Sequence, residues 1–409
     1  MYMTKEEEKM YNGEYGPLYA WAMRFLAAYG DGLKAERLVK VSAVLVDQIE
    51  KPHHLRPQLS LELYNEFLKT RMAVPTYTST LFFSKEDYQN QKAIELQYRD
   101  MGVFLTASCA AYTAGWVPTF GSHVASVESS MYVYTNSVFG ARTHRESYPG
   151  IFAVALTGKT PYAELHTNEG RRGNLLVKVE TKLTKTSDYW ALGYYVGTIV
   201  TEDWNRPVIT GIPNNIGSDE LKSLGAAMQS QGSVGLYHVV KVTPEAPTIE
   251  TAFGGDKPQE TITVGDREIK EAYAKLNRGE EGQEVDYVIL GCPHYSIKQL
   301  ARVADLLRGK KIHKDVKLGI LIAPAVRLMA DRMGIKDIIE SAGGEMLGGG
   351  CFSGWMSLKE GERDKPREKV NVATDSGKCA WFRANERDKP CFGCTEDCIK
   401  AAINKKWSD

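Results

Sequence analysis

The chain has no surplus of charge of either sign: 51 lysines and arginines balance 51 aspartates and glutamates over 409 residues. No global field therefore favours nucleic acid or an anionic membrane as a partner. It also lacks an uninterrupted apolar run near the length of a membrane span, and the opening Met1-Tyr-Met-Thr-Lys5 carries no signal-peptide core. A cytoplasmic protein is expected. Cysteine is scarce, and its seven copies are an odd number. In a long chain without an export signal this argues against a disulfide framework and for reduced thiols free to bind a metal or a cluster. Fixed-period repeats and low-complexity tracts are absent as well. What remains is 43% hydrophobic and 25% charged residues, enough for a sizeable core and two or three domains.

The amino-terminal part opens on a helix capped at Thr4 with Glu7 three positions later, interrupted at Gly13 and Gly16 and ending at Gly30. Ala35 to Gln48 reads as helix or strand, Ser60 to Lys69 as a capped helix, and Val74 to Phe83 as strand. Val124, Val127, Met131, Tyr134 and Val138 recur at helical spacing, which predicts an amphipathic helix with Glu128, Thr135 and Asn136 on its polar face. Gly150 to Leu156, Leu175 to Val179 and Val234 to Val242 read as strands, and Ser218 to Gln229 as a helix ending near Gly232. Residues 244–263, with Gly254 and Gly255, are the expected linker between an amino-terminal region 1–250 and a carboxy-terminal region 264–409. Beyond it, helices and strands alternate as far as Gly343. The fold class expected is α/β, several units with mostly parallel sheets flanked by helices. The mixed-sign run Lys359 to Lys369 reads as a solvated connector.

Cys292 ends the apolar run 286–290 and precedes the helical pattern 296–307. A thiol there sits at the carboxyl end of a buried strand, where open α/β sheets place ligands and helix amides stabilise a thiolate. Cys109 in Leu105-Thr-Ala-Ser-Cys109 and Cys351 in Gly348-Gly-Gly-Cys351 share its setting of small residues, which let backbone approach a bulky inorganic group. Three thiolates on a four-iron cluster leave one iron open, a Lewis acid able to polarise a hydroxyl leaving group. The tail offers Cys379, Cys391, Cys394 and Cys398. These either bind zinc or a second cluster, or place Cys398 in the core from a helix capped at Thr395 with Cys391 and Cys394 in a turn. Arg142 and Arg145 carry forks that match a carboxylate, or else serve a helix end and surface acids. His144 and His294 read, taken singly, as hydrogen-bonded structural histidines. Residues 343–350 lack the Lys-Ser/Thr ending of a phosphate loop and are assigned no nucleotide.

Read together, these segments resemble the large subunit or large domain of aconitase X, a branch of the aconitase superfamily of hydro-lyases. The resemblance spans nearly the whole chain. It rests on the Gly13 to Pro17 opening, Glu128-Ser-Ser130, Tyr134 to Arg145, Pro207 to Pro213, Leu221 to Ala227, Tyr237 to Pro247, Gly291-Cys-Pro-His-Tyr-Ser296 and Asp375-Ser-Gly-Lys378. It implies an iron-sulfur cluster (4Fe-4S or 2Fe-2S) on Cys109, Cys292 and Cys351. Asn136, Ser137, Arg142 and His294 would be catalytic residues lining the cleft, and Arg145, Ser108, Glu128, Ser376 and Lys378 would bind substrate. The activity implied is elimination of water from a small hydroxy acid, such as cis-3-hydroxyproline or a phosphorylated mevalonate. A separate small subunit carrying a swivelling domain is the implied partner.

Several positions depart from the family pattern. Ser108-Cys-Ala-Ala-Tyr112 replaces Thr-Cys-Ala-Pro-Tyr, Ser42-Ala-Val-Leu45 replaces Ser-Ala-His-Ile, and Ala323-Pro-Ala325 stands where Thr-Ser-Arg is expected. Cys379 replaces a tyrosine. A site built to bond particular groups rejects analogues strongly, so these changes imply altered specificity. Two other readings stay open: a noncatalytic or sensory iron-sulfur or zinc protein closed by the tail cysteines, and a metal-free structural subunit.

Overall fold

The computed structural model describes residues 1–46, 59–79, 87–200, 206–352, 356, 370–385 and 388–408, with the side chains of 87–92 and 94 outside the description. The run Lys359 to Lys369 and the ends of the segments expected at Ala35 to Gln48 and Val74 to Phe83 lie outside the described residues. Along the chain three parallel sheets follow one another, each with helices between its strands.

The first unit contains α1 (Lys5–Asn12), α2 (Pro17–Gly32), β1 (Leu38–Lys40), β2 (Val44–Val46), α3 (Leu61–Phe67), β3 (Thr76–Thr78), α4 (Asp87–Asp100), β4 (Val103–Phe104), β5 (Ala125–Ser126), α5 (Ser129–Ser137), α6 (Tyr148–Thr157) and β6 (Lys159–Pro161). Thr4 and Glu7 form the expected capping box, Gly13 ends α1 in the left-handed region, and Pro17 starts α2. The sheet order is β4-β3-β2-β5, and β1 pairs with β6 apart from it.

The second unit holds β7 (Leu175–Val179), α7 (Thr186–Ile199), β8 (Pro207–Thr210), α8 (Ser218–Gly232), β9 (His238–Val239), α9 (Ile249–Ala252), β10 (Glu260–Val264) and α10 (Asp266–Leu276), with order β10-β7-β8-β9. The third holds β11 (Tyr287–Tyr295), α11 (Ile297–Leu307), β12 (Lys317–Ile322), α12 (Pro324–Arg332), α13 (Ile335–Ala342), β13 (Glu345–Gly348), β14 (Val372–Thr374), α14 (Gly377–Asn385), β15 (Cys391–Phe392) and α15 (Thr395–Asn404). Its order is β13-β12-β11-β14-β15, all parallel. Among the described residues no helix is long and apolar enough to cross a membrane.

Four local expectations are corrected. Residues 150–156 are not a strand but most of α6, which is capped by Ser147 accepting from the Gly150 amide and ends at Gly158. Every residue from Gly150 to Thr157 is buried, so the apolar run has no period to separate helix from strand. The 124–138 segment splits into β5 and α5, and its polar side, Thr135 to Ser137, is as buried as its apolar side. Of residues 234–242 only His238 and Val239 are strand, because Lys241 turns the chain at φ 66°. Finally, the stretch 244–263 carries α9 and most of β10, and β10 pairs with β7 as an edge strand of the second sheet.

The order of the third sheet matters for the site. The chain steps from β11 outward through β12 and β13 on one side, and returns to β14 and β15 on the other. The point where that order reverses lies at β11, and crevices form outside the carboxyl ends of strands at such a reversal.

Candidate active site

Cys292 lies at this reversal. The pairing of β11 with β12 is regular to Leu290 and resumes only at Tyr295, so Gly291-Cys-Pro-His294 bulges out of the ladder. Gly291 sits at φ 87°, and a Cβ there would fall 2.3 Å from the Leu321 carbonyl oxygen. Only glycine fits. Cys109 follows β4 in the first unit, and Cys351 follows β13 in the third. Gly349, at φ 85°, packs the Cys351 loop onto the Cys109 loop, since a Cβ there would meet Ala107 at 3.2 Å.

Lys378, at the start of α14, is where these loops converge electrostatically. Its ammonium donates to Ser129 Oγ at 2.9 Å and Ser130 Oγ at 3.0 Å, and lies 3.9 Å from a Glu128 oxygen. Burial works to discharge it, but the Glu128 carboxylate, followed by the thiols of Cys292, Cys109 and Cys351, holds its pKa above the usual lysine value. The reciprocal effect is seen on the sulfurs. Burial pushes the Cys109 and Cys292 thiols well up, Glu128 adds to this at Cys109, and Lys378 opposes it at both. None of the seven cysteines forms a disulfide.

His294 ties the loops together. Its amide donates to Cys109 Sγ at 3.3 Å. Its ring Nε2 lies 2.8 Å from the Gly350 carbonyl oxygen, and Nδ1 lies 3.0 Å from Ser108 Oγ. Because a carbonyl only accepts, Nε2 carries the proton and Nδ1 accepts from Ser108. Burial lowers the His294 pKa to about 4, so the ring is neutral near pH 7. Ser376 donates to the Cys292 carbonyl and accepts from the Cys379 amide at 3.0 Å. Thus Ser108, Ser376 and His294 spend their polar atoms bracing cysteine loops.

Asn136, Ser137 and Arg142, expected to line the cleft, have partners of a different kind. Asn136 Nδ2 donates to the carbonyls of Thr143, Gly235 and Tyr132, and its Oδ1 accepts from the Thr143 amide and from Arg171 Nη1. Ser137 Oγ accepts from the Tyr237 amide at 3.0 Å. Arg142 donates to the His166 carbonyl at 2.9 Å and to Asn168 Oδ1. They join the first unit to the second, and Arg171, braced by Glu245, is the centre of that joint. Arg145 is exposed, on a backbone bridge to Ser126.

The tail cysteines are set differently. Cys391 and Cys398 belong to the apolar core of the third unit, whereas Cys379 packs in one cluster with Cys292, Ile289, Leu321 and Val372, with Cys351 against it. Cys394, rather than Thr395, caps α15: the Asp397 carboxylate accepts from its amide at 3.0 Å and from its thiol at 2.8 Å. Among the described residues no three His, Cys, Asp or Glu side chains meet closely enough to hold a single metal ion.

Three contributors lie in segments that matched the family pattern but were given no role from the sequence. Ser129 and Ser130 hold Lys378 only because β5 delivers the amino end of α5 to α14. Lys222 of α8 donates to the His294 carbonyl at 2.9 Å, a contact that spans two units. A periodic, buried helix position gave no reason to expect a charge with such a partner.

Residues 1–169, 173–274 and 285–404 match, in order, the family models described as the Aconitase X first, second and third domains. The phosphomevalonate dehydratase large subunit of Methanocaldococcus jannaschii is 34% identical, over 98% of this chain and 100% of that relative. The cis-3-hydroxy-L-proline dehydratase of Hypocrea jecorina is 29% identical over 98% of this chain, which spans 68% of that relative's length. Among solved structures, the aconitase X of Thermococcus kodakaraensis in its holo-form superposes with a TM-score of 0.84 at 32% identity, over 98% of this chain and 100% of that one.

Proposed function

The chain belongs to the aconitase X family, and on that premise we propose that it is the large subunit of a cytoplasmic, iron-sulfur-dependent hydro-lyase that removes water from a small hydroxy acid. The observation that carries this reading is the convergence of Cys109, Cys292 and Cys351, from three distant segments, with Lys378: the His294 amide of the Cys292 bulge meets Cys109 Sγ, and Cys292 and Cys351 share one packed cluster.

The donor set fits a cluster better than a single ion. Each thiolate of a cluster takes a different iron, so the sulfurs surround the group instead of meeting at one point. Three free thiols, two of them opposed in their discharge by an ammonium and all flanked by small residues, supply that surround. When bound, the cluster supplies a Lewis acid for the departing hydroxyl.

The chain's own residues do the rest. Lys378, already donating to two hydroxyls, offers its ammonium to a substrate carboxylate, and Ser129 and Ser130 fix its direction. Glu128 keeps Lys378 charged. His294 is neutral and doubly bonded, so it holds loops and moves no proton. The base that removes the carbon-bound proton belongs to a separate small subunit, the kind of partner implied by relatives named as large subunits.

Phosphomevalonate is the first substrate to assay, with cis-3-hydroxy-L-proline as the second. The Ala323-Pro-Ala325 segment at the head of α12 carries no guanidinium, and Arg327 further along that helix donates to the Met346 carbonyl, which supports a specificity of its own. The test is anoxic purification with the co-encoded small subunit, iron and sulfide analysis, and a dehydration assay over a panel of hydroxy acids. Iron with acid-labile sulfide and turnover of one panel member are expected. Metal-free protein after anoxic reconstitution would sink the reading.

A further inference from the structure

His294 touches all three units, and its contact with the second is the least expected. Its ring and amide face Ser108, Cys109 and Gly350, whereas its carbonyl accepts from Lys222 Nζ at 2.9 Å. The same ammonium donates to Gln299 Oε1 at 2.7 Å and lies 3.6 Å from Asp219 Oδ1. The ammonium thus makes two hydrogen bonds, to the His294 carbonyl and Gln299, and an ion pair with Asp219. Asp219 is itself fixed, because Ser296 donates to its other oxygen at 3.0 Å. Lys222 and Asp219 are 4% and 5% exposed, and both line a cavity of about 340 Å³ that adjoins Cys292, Tyr295 and Asp375.

A buried ammonium is costly to keep, and burial lowers the Lys222 pKa against the opposing pull of Asp219. A helix-to-helix pair would not need a loop carbonyl as its third partner. The carbonyl chosen here closes the bulge that carries Cys292 and directs the His294 amide at Cys109.

We infer that Lys222, held by Asp219, is a positioning residue that locks the Cys292-Pro293-His294 bulge so that the cysteine site is formed before its cofactor arrives. The second unit thereby acts on a site built from the first and third. This inference rests on the proposed cluster site, but its first measurement does not need the cluster.

Hydrogen exchange of the metal-free full chain, followed by mass spectrometry, compares the wild type with Lys222→Met. Exchange of the 291–296 backbone is expected to accelerate about tenfold, with the 391–398 backbone unchanged. A change spread evenly over the chain would mark a merely structural role and overturn the inference. So would unchanged exchange at 291–296. The double variant Lys222→Met/Asp219→Asn leaves no uncompensated buried charge and gives the same comparison if the single variant does not accumulate. In reconstituted protein both variants are expected to release iron to a chelator about tenfold faster, the size expected for loss of an outer-shell partner. If the wild type binds no iron, the functional reading fails while the exchange result still decides the positioning role.

Discussion

Two sets of cysteines share this chain and differ in what surrounds them. At Cys109 and Cys292 a buried ammonium works against burial and favours the thiolate. At Cys394 and Cys398 the neighbouring charges are carboxylates, Asp397 at the first and Asp375 and Asp397 at the second, and they add to burial. Burial raises the thiols of both sets, and Glu128 adds to it at Cys109, but only Cys109 and Cys292 have an ammonium beside them to offset part of the cost of the thiolate that a metal requires. Proximity in sequence does not mean a shared setting: Cys391 and Cys398 of the dense C-x2-C-x3-C run lie in the third unit's core, whereas the scattered Cys109, Cys292 and Cys351 come together.

The sharpest way to break this contrast is to exchange one sulfur in each set. Cys292→Ser should lose iron to below about a tenth of the wild-type content, and dehydration with it. Cys398→Ser should keep both, at a stability cost of about 1–3 kcal/mol for a hydroxyl buried in an apolar core. Iron analysis and denaturant unfolding read the two outcomes; equal iron loss in both would end the distinction. Removing the ammonium comes next. Lys378→Met should lower turnover by about a hundredfold, the scale of one preorganised charged contact in a buried site, while the three sulfurs remain. Wild-type turnover would show that the ammonium faces no substrate.

The smallest effect tests the other set. The Cys394 thiol is pushed up to about 12, first by burial and then by the Asp397 carboxylate that accepts its hydrogen. Asp397→Asn removes the carboxylate contribution, so the pKa should fall towards the ordinary thiol value of about 8.5 and the thiolate fraction at pH 8 should rise. Iodoacetamide labelling of Cys394 in the variant should be several-fold faster, and a rate that stays flat from pH 7 to 9 would contradict the electrostatic account.

Much of the fold was legible where local signals agreed. Thr4 with Glu7, Ser60 before α3, and the alternation after residue 264 each name their element because caps and periodicity act over a few residues. Legibility failed where burial is complete. The segment 150–156 is apolar on every side, and β10 looks like a polar connector because it is an edge strand with exposed residues. The site divides in the same way. Gly-Cys-Pro-His and Ser-Gly-Lys are short motifs whose residues do meet, whereas the Asn136 to Arg142 segment, equally rich in polar groups, finds partners at Thr143, Gly235, His166 and Arg171.

By itself the sequence determined the α/β class, the family, and the three cysteines worth following, because composition, periodicity and motif order are properties of the chain. The tertiary structure alone decided that Lys378 faces those sulfurs, that Ser108, Ser376 and His294 brace loops, and that Lys222 reaches in from the second unit. These are contacts between residues up to 249 positions apart, as between Ser129 and Lys378. The packing of separate units fixes them, and no local pattern in the chain encodes them.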